Sequence, residues 1–207
     1  MSVTIELEGV AKRYRLEWVF RRVDLQFRAG ERYAVAGPNG SGKSTLLKIL
    51  SGHLSPSRGR RHYRMEGREI PPAGIYRHLS LAAPYIELVE EMTLHEAVNF
   101  HQKFKALREG LSPTDLTHIL NLPRALNKPI RNFSSGMKQR LKLALAICTQ
   151  ADLLLLDEPG TNLDEEGIRW YRGLIAEFTT DTTLIIASNA EADYDFCPHR
   201  IDITDFK

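Results

Sequence analysis

The chain has 207 residues, of which 43% are hydrophobic and 26% charged, which is the composition of a folded globular domain and excludes a disordered chain. Its 28 Lys and Arg residues nearly balance its 26 Asp and Glu residues, so no broad cationic face is indicated and nucleic acid is not expected as the chief partner. The two cysteines, Cys148 and Cys197, form neither a CxxC pair nor a Cys/His cluster. A disulfide scaffold and a zinc site are therefore poor interpretations, and a reducing compartment fits.

The beginning of the chain shows charged residues and no apolar signal region, so we expect no secretion signal. The longest apolar runs are far shorter than the roughly 18 to 20 residues of a membrane span. We therefore expect a cytoplasmic chain that reaches a membrane only through a partner.

The first strands are predicted from alternating apolar and polar residues, at Val3–Tyr14 and Val23–Glu31. This alternation is typical of half-exposed antiparallel strands. A further strand pair is predicted from about Arg60 to Ile70, around the turn at Glu66 and Gly67.

Three later segments are nearly continuous in apolar residues, at Arg32–Gly37, Asp152–Asp157 and Thr183–Ser188. Strands that are buried on both faces have this composition, so we expect these three to lie together in a parallel sheet. Because they alternate with helical patterns, the predicted fold class is α/β, with a mostly parallel core sheet and an antiparallel β subdomain.

The middle third of the chain is predicted to be helical. Apolar residues recur at helical spacing from about Met92 to Leu107, Ser112 begins a second short helix, and a third helix is expected from about Gly136 to Thr149. We interpret residues 1–207 as a single domain, with a helical subdomain at about 86–149 inserted in the α/β core.

A phosphate-binding loop is predicted directly after the strand at Arg32–Gly37. The segment fits G-x-x-x-x-G-K-[ST], in which glycines let successive N–H groups point at an anion and the following helix adds its positive dipole end. Lys43 is expected to reach the β and γ phosphates, and the Ser44 hydroxyl to bind Mg²⁺. The candidate nucleotide-binding residues are Tyr14, Gly37, Pro38, Asn39, Gly40, Ser41, Gly42, Lys43, Ser44 and Thr45.

Two adjacent carboxylates follow the second buried strand. Asp157 ends that strand, where such nucleotide sites place the carboxylate that holds the metal. Because neighbouring residues at a strand end point in different directions, Glu158 is free to face the γ phosphate and polarise the attacking water. We therefore predict Ser44 and Asp157 as metal ligands and Glu158, with Lys43, as catalytic.

The segment Phe133-Ser-Ser-Gly-Met-Lys-Gln-Arg140 lies before this strand. It resembles the signature of the ATP-binding cassette (ABC) ATPases, most closely the small ATPase subunits of bacterial exporters, including the haem-exporter type. The resemblance implies ATP and Mg²⁺ as ligands and Tyr14 as the aromatic that stacks on adenine. It also implies a D-loop with Asp164, and a signature that contacts the nucleotide of the opposite protomer, formed by Ser134, Ser135, Gly136 and Met137. The residues themselves suggest that Ser134 and Ser135 cap a helix.

Two positions depart from the family pattern. Tyr85 stands where the family has a glutamine, and Asn189 stands where it has a histidine against the γ phosphate. Asn189 is counted with the predicted catalytic residues. An asparagine can donate a hydrogen bond to phosphate but cannot carry a proton, so we expect ATP binding to be kept and hydrolysis to be slowed. Apolar and acidic residues at Pro84–Val89 suggest either a surface for a membrane subunit or an ordinary interior anchor.

The resemblance implies an ATP-hydrolysing subunit that forms a head-to-tail dimer, with itself or a paralogous cassette, and drives a separate transmembrane permease at the cytoplasmic face. The first alternative is a slowly hydrolysing, ATP-gated dimerisation or regulatory module that is not coupled to transport. A second alternative, a protein that acts on ribosomes or DNA, is less favoured because the chain has no room for a second cassette or a long coiled coil. A cluster of arginines around His62 is interpreted as a solvated turn.

Overall fold

A computed structural model describes residues 2–108, 110–122 and 124–207. The strands are β1 (Thr4–Tyr14), β2 (Glu17–Phe27), β3 (Arg32–Ala36), β4 (Arg58–Met65), β5 (Arg68–Ile70), β6 (Leu79–Ala82), β7 (Leu153–Asp157), β8 (Thr183–Ala187) and β9 (His199–Asp202). The helices are α1 (Lys43–Leu50), α2 (Leu94–Gln102), α3 (Pro113–Ile119), α4 (Ser135–Ile147) and α5 (Glu165–Phe178). Short 3₁₀ turns occupy Pro72–Arg77, Ile130–Asn132, Glu191–Asp193 and Ile203–Phe206.

The core sheet has five strands in the order β6-β7-β8-β3-β9. Strands β7 and β3 both pair with β8 in parallel, and β9 pairs in parallel with β3. The three apolar segments therefore lie side by side as predicted, and every residue of β7 and β8 is buried. The mostly parallel core sheet is confirmed.

The second sheet is antiparallel, with the order β2-β1-β4-β5. Strands β1 and β2 pair with Val10 opposite Val23, and the predicted hairpin forms between β4 and β5. Inward-facing residues such as Ile5, Phe20 and Val23 are fully buried, while polar neighbours remain exposed, so the alternation in the sequence marks the core face of this sheet.

The chain divides into two compact units. The first contains both sheets and α1, within residues up to Leu81 and at Ala151–Glu158 and Thr180–Lys207, and it has its own apolar core. The second consists of Ala82–Gln150 and Pro159–Thr179, and its core includes Leu94, Val98, Leu116 and Leu141. That residues 1–207 form a single domain, with a helical subdomain at about 86–149 inserted in the α/β core, stays a prediction.

Helix α2 is shorter than predicted, because it ends at Gln102 and not near Leu107. The reason is that the backbone of Leu107 pairs with Thr149, which requires an extended chain. Of the apolar residues within the predicted helix, Phe100 and Phe104 are 44% and 72% exposed and contact each other edge to face.

The start of α3 follows the predicted capping chemistry. Ser112 accepts a hydrogen bond from the Asp115 backbone N–H at the start of α3, as predicted. Among the described residues, no helix has the length and apolar character needed to cross a bilayer.

Candidate functional site

The loop between β3 and α1 is formed by backbone that favours glycine. Gly42, the residue before the helix, has φ of 111°, and a Cβ built on it would lie 2.6 Å from Val19 Cγ1. Both the backbone angle and the close approach of β2 therefore exclude a side chain here. Gly40 also has a positive φ, of 75°.

Lys43 is the first residue of α1, and it is only 5% exposed. Its Nζ donates to the backbone oxygens of Gly37, at 2.9 Å, and Pro38, at 3.2 Å. It also lies 3.2 Å from Glu158 Oε1. The ammonium group is thus held inside the loop, where an anion bound to the loop would meet it.

Asp157 is the last residue of β7, and its side chain is 1% exposed. Burial raises the pKa of this carboxyl, and the negative charge of Glu158 also raises it. The Ser44 hydroxyl and the positive charges of Lys43 and Lys48 lower it, but burial has the largest effect. The Ser44 hydroxyl lies close enough to influence this carboxyl, but neither carboxylate oxygen has a partner in good hydrogen-bond geometry among the described residues. A buried carboxylate without a partner is costly, and a cation is the group that would compensate it.

Glu158 follows directly and adopts a left-handed backbone conformation, with φ of 47°. Its backbone N–H donates to Ala187 O at 2.7 Å, at the end of β8. Its Oε2 accepts from the Ser188 hydroxyl at 2.9 Å and from the Asn189 N–H at 3.4 Å. The sharp turn after Asp157 therefore brings the second carboxylate to the end of the neighbouring strand.

Asn189 lies beside the loop, since its Nδ2 donates to Asn39 Oδ1 at 3.0 Å. The next histidine along the chain, His199, lies elsewhere in the sheet, where it stacks on Tyr33 and contacts Glu31 Oε2 at 3.2 Å. His199 therefore does not replace the histidine that the family pattern has at position 189.

Tyr14, at the end of β1, is 50% exposed, and the Lys12 ammonium lies 5.3 Å from its ring centre. An exposed ring at this place is open to stacking by a planar ligand. Tyr85 belongs to the second unit and is 40% exposed.

The predicted signature residues lie at the start of α4, in the second unit. Ser134 is the N-cap, and its Oγ accepts from the Met137 backbone N–H at 3.2 Å. Ser135 is the first helical residue and does not cap. The helix start borders a cavity of about 380 Å³. The residues that line it include Ser134, Gly136, Met137, Arg140, Asn162 and Asp164.

Gly136 allows the helix to approach the loop before α5. A Cβ on it would lie 3.1 Å from the backbone oxygen of Asn162, which is tighter than an ordinary contact. Asp164 caps α5 by accepting from the Gly167 N–H at 2.7 Å, and Arg140 lies 3.7 Å from the same carboxylate. The structure thus brings the predicted signature and the predicted D-loop residue to one cavity.

Three polar residues near these groups were missed by the sequence reasoning. Ser188 and Asp193 contact each other behind Glu158, and Arg140 lines the cavity in the second unit. Two of them could have been noticed in the sequence: Ser188 is a hydroxyl at the end of a predicted strand, and Arg140 is a basic residue in the predicted helix α4. Asp193 gave none, because only the turn after β8 brings it back.

The profile of the ABC transporter family matches residues 20–161, which is more than half of the chain. The chain belongs to the ABC transporter family. It is 31% identical, over 91% of its length, to the uncharacterised ABC transporter ATP-binding protein YcbN of Bacillus subtilis (strain 168), of which it spans 62%. It is also 31% identical over 89% of its length to the lantibiotic transport ATP-binding protein SrtF of Streptococcus pyogenes, of which it spans 79%.

Two further matches support the family and the fold. The cytochrome c biogenesis ATP-binding export protein CcmA of Rhizobium meliloti (strain 1021) is 30% identical over 87% of this chain, which spans 88% of that protein. The dimeric structure of MJ0796, a bacterial ABC transporter cassette, superposes with a TM-score of 0.80 at 21% identity, over 97% of this chain and 95% of that one. The cassette fold inferred from the resemblance is confirmed, and so is the family that the resemblance named.

Proposed function

We propose that the first unit binds ATP at the loop Gly37–Ser44 and hydrolyses it as the ATPase subunit of an ABC transporter. The observation that carries the proposal is the arrangement around Lys43. Its buried ammonium is held on two loop carbonyls beside Glu158, and α1 directs its positive end at the same place. The remaining predicted nucleotide-binding residues, Asn39, Ser41 and Thr45 among them, are assigned to phosphate contacts.

The side chains of Ser44 and Asp157 fit a magnesium ion that enters with ATP. Magnesium prefers oxygen ligands, and Asp157 offers two buried carboxylate oxygens that no described group hydrogen-bonds. When bound, the ion would neutralise charge that develops on the phosphates. The contribution of the chain is to fix one carboxylate and one hydroxyl at adjacent ends of β7 and α1.

Glu158 is assigned to the attacking water. In the structure its carboxylate lies against Lys43, and once the phosphates of ATP bind that ammonium the carboxylate is available to accept a proton. Water then attacks the γ phosphate in line, while Lys43 balances the charge on the transferred group. Asn189, which donates to Asn39, would offer an amide N–H to phosphate but no proton.

A second protomer, identical or paralogous, is assigned to complete the site in a head-to-tail dimer. Ser134, Ser135, Gly136 and Met137 would approach the γ phosphate held by the partner, because the N–H groups at the start of α4 favour an anion. Asp164 would lie in the same dimer interface. Tyr14 is assigned to adenine, since its exposed ring is open to stacking.

Closure of this dimer would drive a separate transmembrane permease, which would hold the protein at the cytoplasmic face of the membrane. The transport names of relatives such as SrtF support this proposal over the regulatory module that hydrolyses slowly without a permease. Pro84–Val89, with the exposed Tyr85, is a candidate contact surface for that subunit.

The Glu158→Gln variant tests the proposal. It should bind MgATP, hydrolyse it at least about a hundredfold more slowly, and form a dimer that light scattering detects only when MgATP is present. Glu69→Gln, an exposed carboxylate of the same unit, is the matched control and should behave as wild type. A Glu158→Gln protein that hydrolyses ATP at the wild-type rate would contradict the role of Glu158.

A further inference from the structure

A buried carboxylate outside the predicted site lies behind Glu158. Asp193 is 2% exposed, in the turn that follows β8, and its Oδ2 accepts from the Ser188 hydroxyl at 2.7 Å. Ser188 is fully buried, and its Oγ is also 2.9 Å from Glu158 Oε2. A single hydroxyl therefore stands between two carboxylates, one of which is the proposed base.

The Ser188 hydroxyl can make only a limited number of hydrogen bonds. Its oxygen accepts from the Ala190 N–H at 3.1 Å, and its one hydrogen is available to only one of the two carboxylates at a time. The Asp193 N–H in turn donates to Ala190 O at 3.1 Å, which closes a tight turn. Backbone bonds therefore hold Ser188 and Asp193 at fixed positions, while the hydroxyl hydrogen is free to turn between its two acceptors.

ATP binding changes which groups hold Glu158. In the structure its carboxylate contacts Lys43 at 3.2 Å, and that ammonium is required by the phosphates once ATP is bound. Among the described residues, the contacts that remain for the carboxylate are the Ser188 hydroxyl and the more distant Asn189 N–H, at 3.4 Å. The position of the base in the loaded site therefore depends mainly on one hydrogen bond.

We propose that Ser188 and Asp193 are positioning residues for hydrolysis. Ser188 orients the carboxylate of Glu158 toward the γ phosphate when its hydrogen points there, and Asp193, which accepts the same hydrogen when it turns away, keeps the Ser188 side chain in the rotamer that reaches Glu158. The inference rests on the proposed role of Glu158 and assigns the group that holds it. Because catalysis is sensitive to displacements of about 1 Å, a loosened Glu158 should slow hydrolysis without weakening ATP binding.

The test compares kcat and KM for MgATP in Ser188→Ala and Asp193→Ala. Each should lower kcat about ten- to a hundredfold, while KM and the affinity for a non-hydrolysable ATP analogue stay within about twofold of wild type. Ser188→Thr keeps the hydroxyl, and Asp193→Asn keeps a hydrogen-bonding partner for it, so both should recover most of the lost kcat.

Thr183→Val is the matched control. Thr183 is a fully buried residue in β8, the strand that Ser188 follows. Like Ser188, its hydroxyl accepts from a backbone N–H, that of Gly30, and donates to an oxygen, the backbone oxygen of Val3. Its removal should lower the melting temperature and leave kcat unchanged. If Thr183→Val lowers kcat as much as Ser188→Ala at equal loss of stability, the effect is general destabilisation and the inference is wrong.

A double variant distinguishes the positioning role of Ser188 and Asp193 from the proposed role of Glu158 as the base. In a Glu158→Gln background, Ser188→Ala should cause no further loss of kcat, because both changes act on one group. If Glu158→Gln slows hydrolysis but Ser188→Ala and Asp193→Ala do not, only the positioning role fails. If Glu158→Gln leaves hydrolysis intact, the role of Glu158 fails and the positioning role fails with it.

Discussion

The two candidate half-sites of the chain differ in how far their polar groups are satisfied. In the first unit, Lys43 and Glu158 contact each other, and Asn39 bonds to Asn189. In the second unit, Ser134 caps α4, but the helix start borders an open cavity of about 380 Å³. The first half-site is thus paired except at Ser41 Oγ and the Asp157 carboxylate, which have no hydrogen-bond partner among the described residues, and the second borders open space.

Because of this difference, the two half-sites differ in the free-energy cost of binding a ligand. A ligand in the first half-site must break existing contacts, except at Asp157, where it gains a carboxylate that has no partner. A ligand at the second half-site enters a cavity of about 380 Å³ that the lining side chains leave open. The first half should therefore decide ATP affinity and chemistry, while the second should decide whether loaded chains associate.

Lys43→Ala tests the first half most severely. It removes the ammonium that faces both the phosphates and Glu158, so we expect hydrolysis to fall by about 10²–10³-fold and MgATP affinity to fall with it. Calorimetric titration and phosphate release measure the two effects. Lys103→Ala, at an exposed lysine of the second unit, should change neither hydrolysis nor MgATP affinity. An equal loss in this variant would contradict the assignment of ATP affinity and chemistry to the first half-site.

Asn189→His tests whether the first half-site lacks a proton-carrying group. The imidazole can become cationic beside the γ phosphate, so kcat should rise by about tenfold or more. Asn189→Ala also breaks the bond to Asn39 but supplies no such group, and it should not raise kcat. Unchanged turnover in Asn189→His would show that the asparagine does not limit hydrolysis.

Asp157→Asn should stabilise the protein without metal or nucleotide by about 1 kcal/mol at neutral pH, because it removes a buried charge that has no partner. Since burial raises the folded-state pKa of Asp157, the native state binds more protons than the unfolded state between the two pKa values. Stability attributable to this group therefore falls as pH rises from the ordinary carboxyl pKa through the raised one.

The advantage of Asp157→Asn over wild type should accordingly grow over that pH window in thermal melts. Asp152→Asn is the opposite case, since Asp152 is paired with His78 at 2.7 Å, and its loss should destabilise. MgATP should stabilise wild type but not Asp157→Asn. A variant less stable than wild type without ligand would contradict the account of Asp157.

Ser134→Ala should have the smallest effect on stability, about 1 kcal/mol from the lost helix cap. Its specific effect should be loss of the MgATP-dependent dimer, with ATP affinity retained. Thr93→Ala and Ser112→Ala remove caps from α2 and α3 in the same unit, so they should cost similar stability and keep the dimer. If all three variants form the MgATP-dependent dimer equally well, the start of α4 has no specific role in association, and the proposed difference between the two half-sites is wrong.

The sequence predicted the features that are encoded over short stretches. Buried strands are marked by continuous apolar runs, and the loop before α1 by glycines around Lys43, so both are visible without long-range information. Strand β9 was not predicted, because its residues are polar and mostly exposed and it forms by pairing with β3. The early end of α2 also depends on a partner, Thr149, that is distant in the chain.

The same limit applies within the site. Glu158 was predicted from its position after a strand, but its contact with Ser188 joins residues 30 positions apart. Asp193 enters through a turn whose direction no local pattern specifies. Side chains that act on other side chains are therefore the part of such a site that sequence reasoning recovers least.

The backbone at Glu158 sets stability against activity at a single position. With φ of 47°, this residue occupies a conformation that costs a side-chain-bearing residue about 1–2 kcal/mol and costs glycine almost nothing. Glycine would therefore relieve the turn but would remove the carboxylate. Selection for a more stable fold would favour one residue here, and selection for hydrolysis the other, so thermostabilised variants of this protein should be screened for activity at this position first.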